Sequence, residues 1–157
     1  MTTIHFTEIT TSTPEQFIAG LTDFGPGRSK LFPNSHDDYL KVHDQGPGYA
    51  DVTEGSGGVW ERLHYNWSDP NHVVLTTVDS NLWGGASGHT YTFKQRADGA
   101  TEIDVVIVRE GKNLKGHLLA FVFAFGGKRV LAKAFDETVR AIEARNIPAV
   151  PASRAQV

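Results

Sequence analysis

KNLKGHLLAFVFAFGGKRVLAKAFDETVRAIEARN, residues 112–146, is the segment around which the remaining chain is organised. No proline interrupts it, and its second half has a clean helical period. Leu131, Phe135, Thr138, Val139 and Ile142 fall at i, i+4, i+7, i+8 and i+11, one stripe of a helix. Lys128, Arg129, Lys133, Asp136, Glu137, Arg140 and Glu143 fill the other faces. From Leu118 to Phe125 every residue is apolar, which predicts burial on nearly all sides. The halves meet at Gly126-Gly127, where a bend or break is expected. Such a helix must lie in something concave, and a wrapped antiparallel sheet is the supplier to look for in the remaining chain.

From Asp38 to Gly111 the period does change from 3.6 to 2, with turn signals at regular intervals. Six strands are predicted: 39–45, 49–54, 59–67, 72–79, 88–96 and 101–110. Tight turns such as Gly46-Pro47-Gly48 and Gly55-Ser56-Gly57-Gly58 leave no room for helical crossovers, so pairing is antiparallel. Residues 3–11 read as a further strand. Thr13, Pro14 and Gln16 then open a short helix with a capping box, striped by Phe17, Ile18, Leu21 and Phe24. Gly25-Pro26-Gly27 ends it, and Arg28 to Phe32 can form one more short helical turn or two. Helices confined to the chain ends make the class α+β. Residues 147–157, IPAVPASRAQV, read as a flexible tail.

Length favours a single domain over residues 1–146. The absence of cysteine removes disulfides, thiol catalysis and zinc-thiolate sites. The N-terminus has neither a basic nor an apolar leader segment, and the longest apolar run is too short to span a bilayer, so a cytoplasmic protein is expected. Asn66-Trp67-Ser68 is then a chance glycosylation triplet. Residues 1–111 carry 7 basic and 15 acidic side chains, and residues 112–157 carry 8 basic and 3 acidic. A basic helix against an acidic sheet explains this, and a membrane-surface role for the helix is the sharper alternative. Nothing suggests nucleic-acid binding, since there is no basic run. Monomer and homodimer both remain open, an edge strand near the N-terminus being the candidate contact.

In each strand one parity is more apolar. Val59, Leu63, Tyr65 and Trp67 share a face, as do Val73 with Leu75, Tyr91 with Phe93, and Ile103, Val105 and Ile107. Leu40 and Val42 do the same in the first of the six. These faces are assigned to the long helix. Glu61, His89 and Arg109 fall in the same parity, and His117 lies on the helix. A buried charge is costly unless paired. Glu61 and Arg109 must therefore meet each other, meet a ligand, or sit at an open mouth.

A strand, two short helices, six antiparallel strands and one long C-terminal helix resemble the helix-grip fold. This is the START-like or SRPBCC superfamily, which includes Bet v 1 proteins and bacterial polyketide cyclases. The likeness covers residues 3–145. Its most telling pieces are GGKRVLAKAFDETVRAIEA, similar to the ending of bacterial single-domain members, and the hairpin WERLHYNWSDPNHV. The resemblance implies a curved sheet of about seven strands wrapped around the helix. It also implies a cavity between them for lipids, sterols, polyketides or hormones. Access is expected beside residues 27–36 and 80–87, with Phe32, His36, Leu82 and Trp83 as gate candidates.

Motifs that would carry chemistry are absent. There is no HExxH or HxH, no carboxylate-rich loop, no phosphate loop and no nucleophile elbow, so neither metal nor cofactor is expected. The favoured reading is a binder or carrier of a small hydrophobic or amphipathic ligand. Tyr65, Tyr91, Phe93, Val105, Ile107, Phe121 and Phe125 would line its site, with Phe32, Trp83 and His117 nearby, and Glu61, His89 and Arg109 would orient the guest. The alternative is a cyclase, aromatase or dehydratase of polyketide type, with His89 as general base and Arg109 stabilising an enolate. A filled core serving only as a partner-binding scaffold is the third reading.

Overall fold

A computed structural model describes residues 1–146; the expected C-terminal tail lies outside the described residues. Strand β1 (Thr2–Thr10) is followed by helix α1 (Pro14–Leu21) and a single 3-10 turn at Arg28–Lys30. Then come β2 (Lys41–Gly46), β3 (Tyr49–Ser56), β4 (Val59–Asp69), β5 (His72–Ser80), β6 (Gly88–Gln95) and β7 (Thr101–Arg109). The chain ends in α2 (Leu114–Val122), a π turn (Phe123–Gly127) and α3 (Lys128–Asn146).

The capping box forms as the residues dictate: the Gln16 amide donates to Thr13 Oγ1 at 3.2 Å and the Thr13 amide to Gln16 Oε1 at 2.9 Å. The β3–β4 turn needs two left-handed residues in succession, and Gly57 (φ 59°) and Gly58 (φ 83°) supply them. All neighbouring strands pair antiparallel, in the order β1-β7-β6-β5-β4-β3-β2. Register shifts interrupt β4–β5 at Arg62/Leu63 and again between Asn66 and Asp69. Such bulges bend a strand and raise its twist, which curls the sheet.

The core lies between the concave face and the helices. Phe6, Phe17, Tyr91 and Phe135 interlock there, with Tyr91 stacked on Phe135 at 5.6 Å. The α3 stripe is buried at Phe135, Thr138, Val139 and Ile142, with Leu131 half-buried.

Two expectations need correction. Val42 is exposed, because β2 is the sheet's edge strand beyond the helix's cover and its pairing with β3 slips between Val42 and Asp44. The run Leu118–Phe125 is not buried all round. Leu118, Phe121, Val122 and Phe125 are exposed, while Ala120 is buried and Leu119 and Phe123 are half-buried. The sheet covers this helix from one side only. There α2 comes so close to the loop after β5 that a Cβ on Gly116 would strike the Leu82 carbonyl oxygen.

Candidate functional site

The helix only partly fills the hollow of the sheet, leaving a cavity of about 390 Å3. Its floor is Leu63, Leu75, Val105 and Ile107 from the strands, and its roof is Leu119, Phe123, Leu131 and Phe135. Among the lining residues Pro33, Asn34 and Val130 are solvent-exposed and mark the mouth.

Two charged clusters are set into these apolar walls. Glu61 projects from β4 and Arg109 from the end of β7, and they form a two-pronged ion pair: Arg109 Nη1 donates to Glu61 Oε1 at 2.8 Å and Nη2 to Oε2 at 3.2 Å. Thr77 adds a hydroxyl donor to Glu61 Oε1 at 3.2 Å, and the Trp83 ring lies 5.2 Å from the guanidinium carbon. Arg109 Nη2 also sits 2.7 Å from His89 Nε2. A guanidinium can only donate, so Nε2 must accept and the imidazole proton resides on Nδ1. Nδ1 then donates to the Tyr91 hydroxyl at 3.1 Å. This leaves the Tyr91 O–H proton and, on Arg109, Nε–H and the second Nη1–H without a protein acceptor among the described residues. Burial, reinforced by the Arg109 charge, holds His89 well below the usual imidazole range, so it is neutral. Burial and then Glu54 push the Tyr91 phenol upward, so it stays protonated.

The second cluster centres on Arg28, only 2% exposed. Its Nε donates to Glu54 Oε1, which also accepts from Ser35 Oγ at 2.7 Å. Nη1 donates to the Asp23 carbonyl at 2.7 Å, and Nη2 to the Leu21 carbonyl at 3.0 Å and Tyr65 Oη at 3.2 Å. Tyr65 in turn donates to Glu54 Oε2. Phe24 and Phe32 lie against the guanidinium at 4.6 and 4.5 Å. Burial alone would make Arg28 easier to deprotonate, but Tyr65 and Glu54 outweigh it and its pKa is raised.

Of the residues singled out from sequence, the cavity wall brings together Phe32, Glu61, Tyr65, Trp83, His89, Tyr91, Val105, Ile107 and Arg109. It does not include Phe93, which is core packing 5.6 Å from Phe17, nor His36 or Leu82. His117, Phe121 and Phe125 are corrections: all three are exposed to solvent, because α2 and the π turn direct Leu119 and Phe123 inward instead. His89 is also constrained as a base, since its one lone pair is taken by Arg109. Arg28, Glu54 and Ser35 were missed. Glu54 had a signal, sharing the parity of Ala50 and Val52 in β3. Arg28 had none, because its burial depends on where Leu21, Asp23 and β3 sit in space. Among the described residues no three metal-ligating side chains come together.

Solved structures share this fold over nearly the whole chain. A START superfamily protein from Mycobacterium smegmatis matches with a TM-score of 0.63 at 11% identity, over 91% of this chain and 95% of that one. The fold is the START-like helix grip. The same START-like fold is seen in the Zhui aromatase/cyclase from Streptomyces sp. R1128, with a TM-score of 0.64, 12% identity, and 91% and 92% of the two chains covered. A Thermus thermophilus protein matches with a TM-score of 0.71 at 12% identity, over 92% and 99%. At these identities the likeness is one of fold. No protein-family model and no curated protein sequence matches the chain.

Proposed function

We propose that this START-like chain binds a small amphipathic molecule between its sheet and C-terminal helix. The observation that carries this reading is an apolar cavity of about 390 Å3 with unclaimed donors on two side chains, Tyr91 O–H and the free N–H groups of Arg109, at one wall. Ligand sites span roughly 300–1,000 Å3 and pair apolar walls with a few fixed polar groups. Burial of the ligand's apolar body supplies the affinity, about 25 cal/mol per Å2 removed from water, less the ordering losses. These donors select a guest carrying an oxygen acceptor at one end. The neutralised Glu61–Arg109 and Arg28–Glu54 pairs avoid presenting bare charge to the apolar remainder.

A cyclase-type use of the same cavity is the second reading, favoured by those same donors, which suit an enolate oxygen. In it Arg109 and Tyr91 stabilise the oxyanion, and His89 must exchange its Arg109 contact before it can accept a proton.

Native mass spectrometry of the purified chain, followed by titration with the apolar fluorophore 1-anilinonaphthalene-8-sulfonate, tests the proposal. One co-purified or one titrated guest per folded chain is expected, lost in Ala134→Trp, which fills the cavity from the helix side. Equal binding by Ala134→Trp would overturn it. Conversion of the guest, abolished by Arg109→Lys with the guest still bound, selects the catalytic reading.

A further inference from the structure

The exposed half of the C-terminal helix is apolar where a solvated helix is polar. Leu114, Leu118, Phe121, Val122 and Phe125 occupy i, i+4, i+7, i+8 and i+11, one continuous outer stripe. Leu114 is 85% exposed, Phe121 61% and Phe125 78%, and the two phenylalanine rings pack 4.8 Å apart at the surface. No described residue covers them. The segment that carries the stripe holds one sign of charge. Residues 111–135 contain five lysines and arginines and no aspartate or glutamate. Of the five, Lys112 pairs with Asp79, whereas Lys115, Lys128, Arg129 and Lys133 make no ion pair among the described residues. The opposite side of the segment is committed to the cavity through Leu119 and Phe123. Val130, 63% exposed, belongs both to the mouth and to the outer surface.

An apolar stripe on a cationic segment matches an anionic lipid surface, where the apolar side chains enter the acyl boundary and the cations meet the headgroups. A second copy placed on this face about a twofold axis would set each cationic segment against its own kind, so self-association is disfavoured by the same charges. Because the helix is already folded, docking loses no helix-ordering entropy. We propose that the outer face of α2 and the π turn docks this protein on an anionic bilayer, with the cavity mouth at the contact line. The proposal does not depend on what the cavity holds.

The test is co-sedimentation of the full chain with phosphatidylcholine vesicles with and without phosphatidylglycerol. Partition to the anionic vesicles only is expected, weakening as salt rises. Phe121→Ser/Phe125→Ser should lower it roughly tenfold or more. Lys128→Gln/Arg129→Gln should lower it about 25-fold, at about fivefold per cation. All four positions are exposed, so the melting temperature should hold and serves as the folding control. No partition by the native chain at low salt overturns the proposal, as does partition insensitive to the phenylalanine pair. So does a solution dimer that the phenylalanine variant converts to monomer without vesicle binding. Ala134→Trp should keep full vesicle binding, which separates failure here from failure of the ligand proposal.

Discussion

His89 gives the sharpest physical consequence. In the folded chain it is neutral, held below the ordinary imidazole range first by burial and then by Arg109. Unfolded, it titrates near 6.5. Below that pH the unfolded chain therefore binds a proton that the folded chain refuses, so stability present at neutral pH is lost as pH falls. The limiting slope for one proton is about 1.4 kcal/mol per pH unit. Between pH 6.5 and 5.5 the loss is about 1 kcal/mol, since the unfolded imidazole is already half protonated at the upper end. The perturbation is His89→Gln: its amide can accept from Arg109 and donate to Tyr91, replacing both hydrogen bonds without a titrating group. The assay is urea unfolding of both proteins at pH 7.5, 6.5, 5.5 and 5.0, with m checked for constancy. Other groups titrate alike in both chains and cancel in the difference. Glu8, whose carboxyl is raised by burial, is one of them. The native chain should lose about 1 kcal/mol more than His89→Gln over that unit. Parallel pH profiles would refute a neutral, charge-excluded His89.

Three further outcomes are expected. Glu54→Leu should destabilise by about 3–5 kcal/mol, leaving buried Arg28 without its counter-ion; Arg28→Met/Glu54→Leu should cost less than the two single changes added, and additive urea-unfolding losses would contradict the pairing. Gly116→Ala should lower stability by about 1–3 kcal/mol in thermal melts, because its Cβ meets the Leu82 carbonyl rather than a side chain that can yield. Phe123→Ala removes a half-buried ring stacked on Trp83 at 6.2 Å, so it should cost about 1–2 kcal/mol and admit bulkier fluorophores than the native cavity does.

What depends on neighbours along the chain was legible in the residues alone. Strand parity placed Leu63, Tyr65, Tyr91 and Val105 inward, because side chains alternate whatever the sheet does later. The Thr13–Gln16 box and the Gly57-Gly58 turn were readable because caps and turns are solved within four residues. Parity also put Glu61, His89 and Arg109 on one face. Their meeting was another matter: β4 and β7 are separated by β5 and β6, and only the curl of the sheet brings Glu61 to Arg109. The Arg28 cluster likewise joins a short turn to β3 through the Glu54 carboxylate, to β4 through the Tyr65 hydroxyl, and to the Leu21 and Asp23 carbonyls, groups whose positions no local pattern encodes. The apolar run Leu118–Phe125 shows the limit most plainly. Hydrophobic on every side, it carries no asymmetry from which to read its buried face. Which residues meet the cavity and which meet solvent was decided by the one side from which the sheet could reach it, since burial is a property of what lies opposite a residue and not of the residue itself.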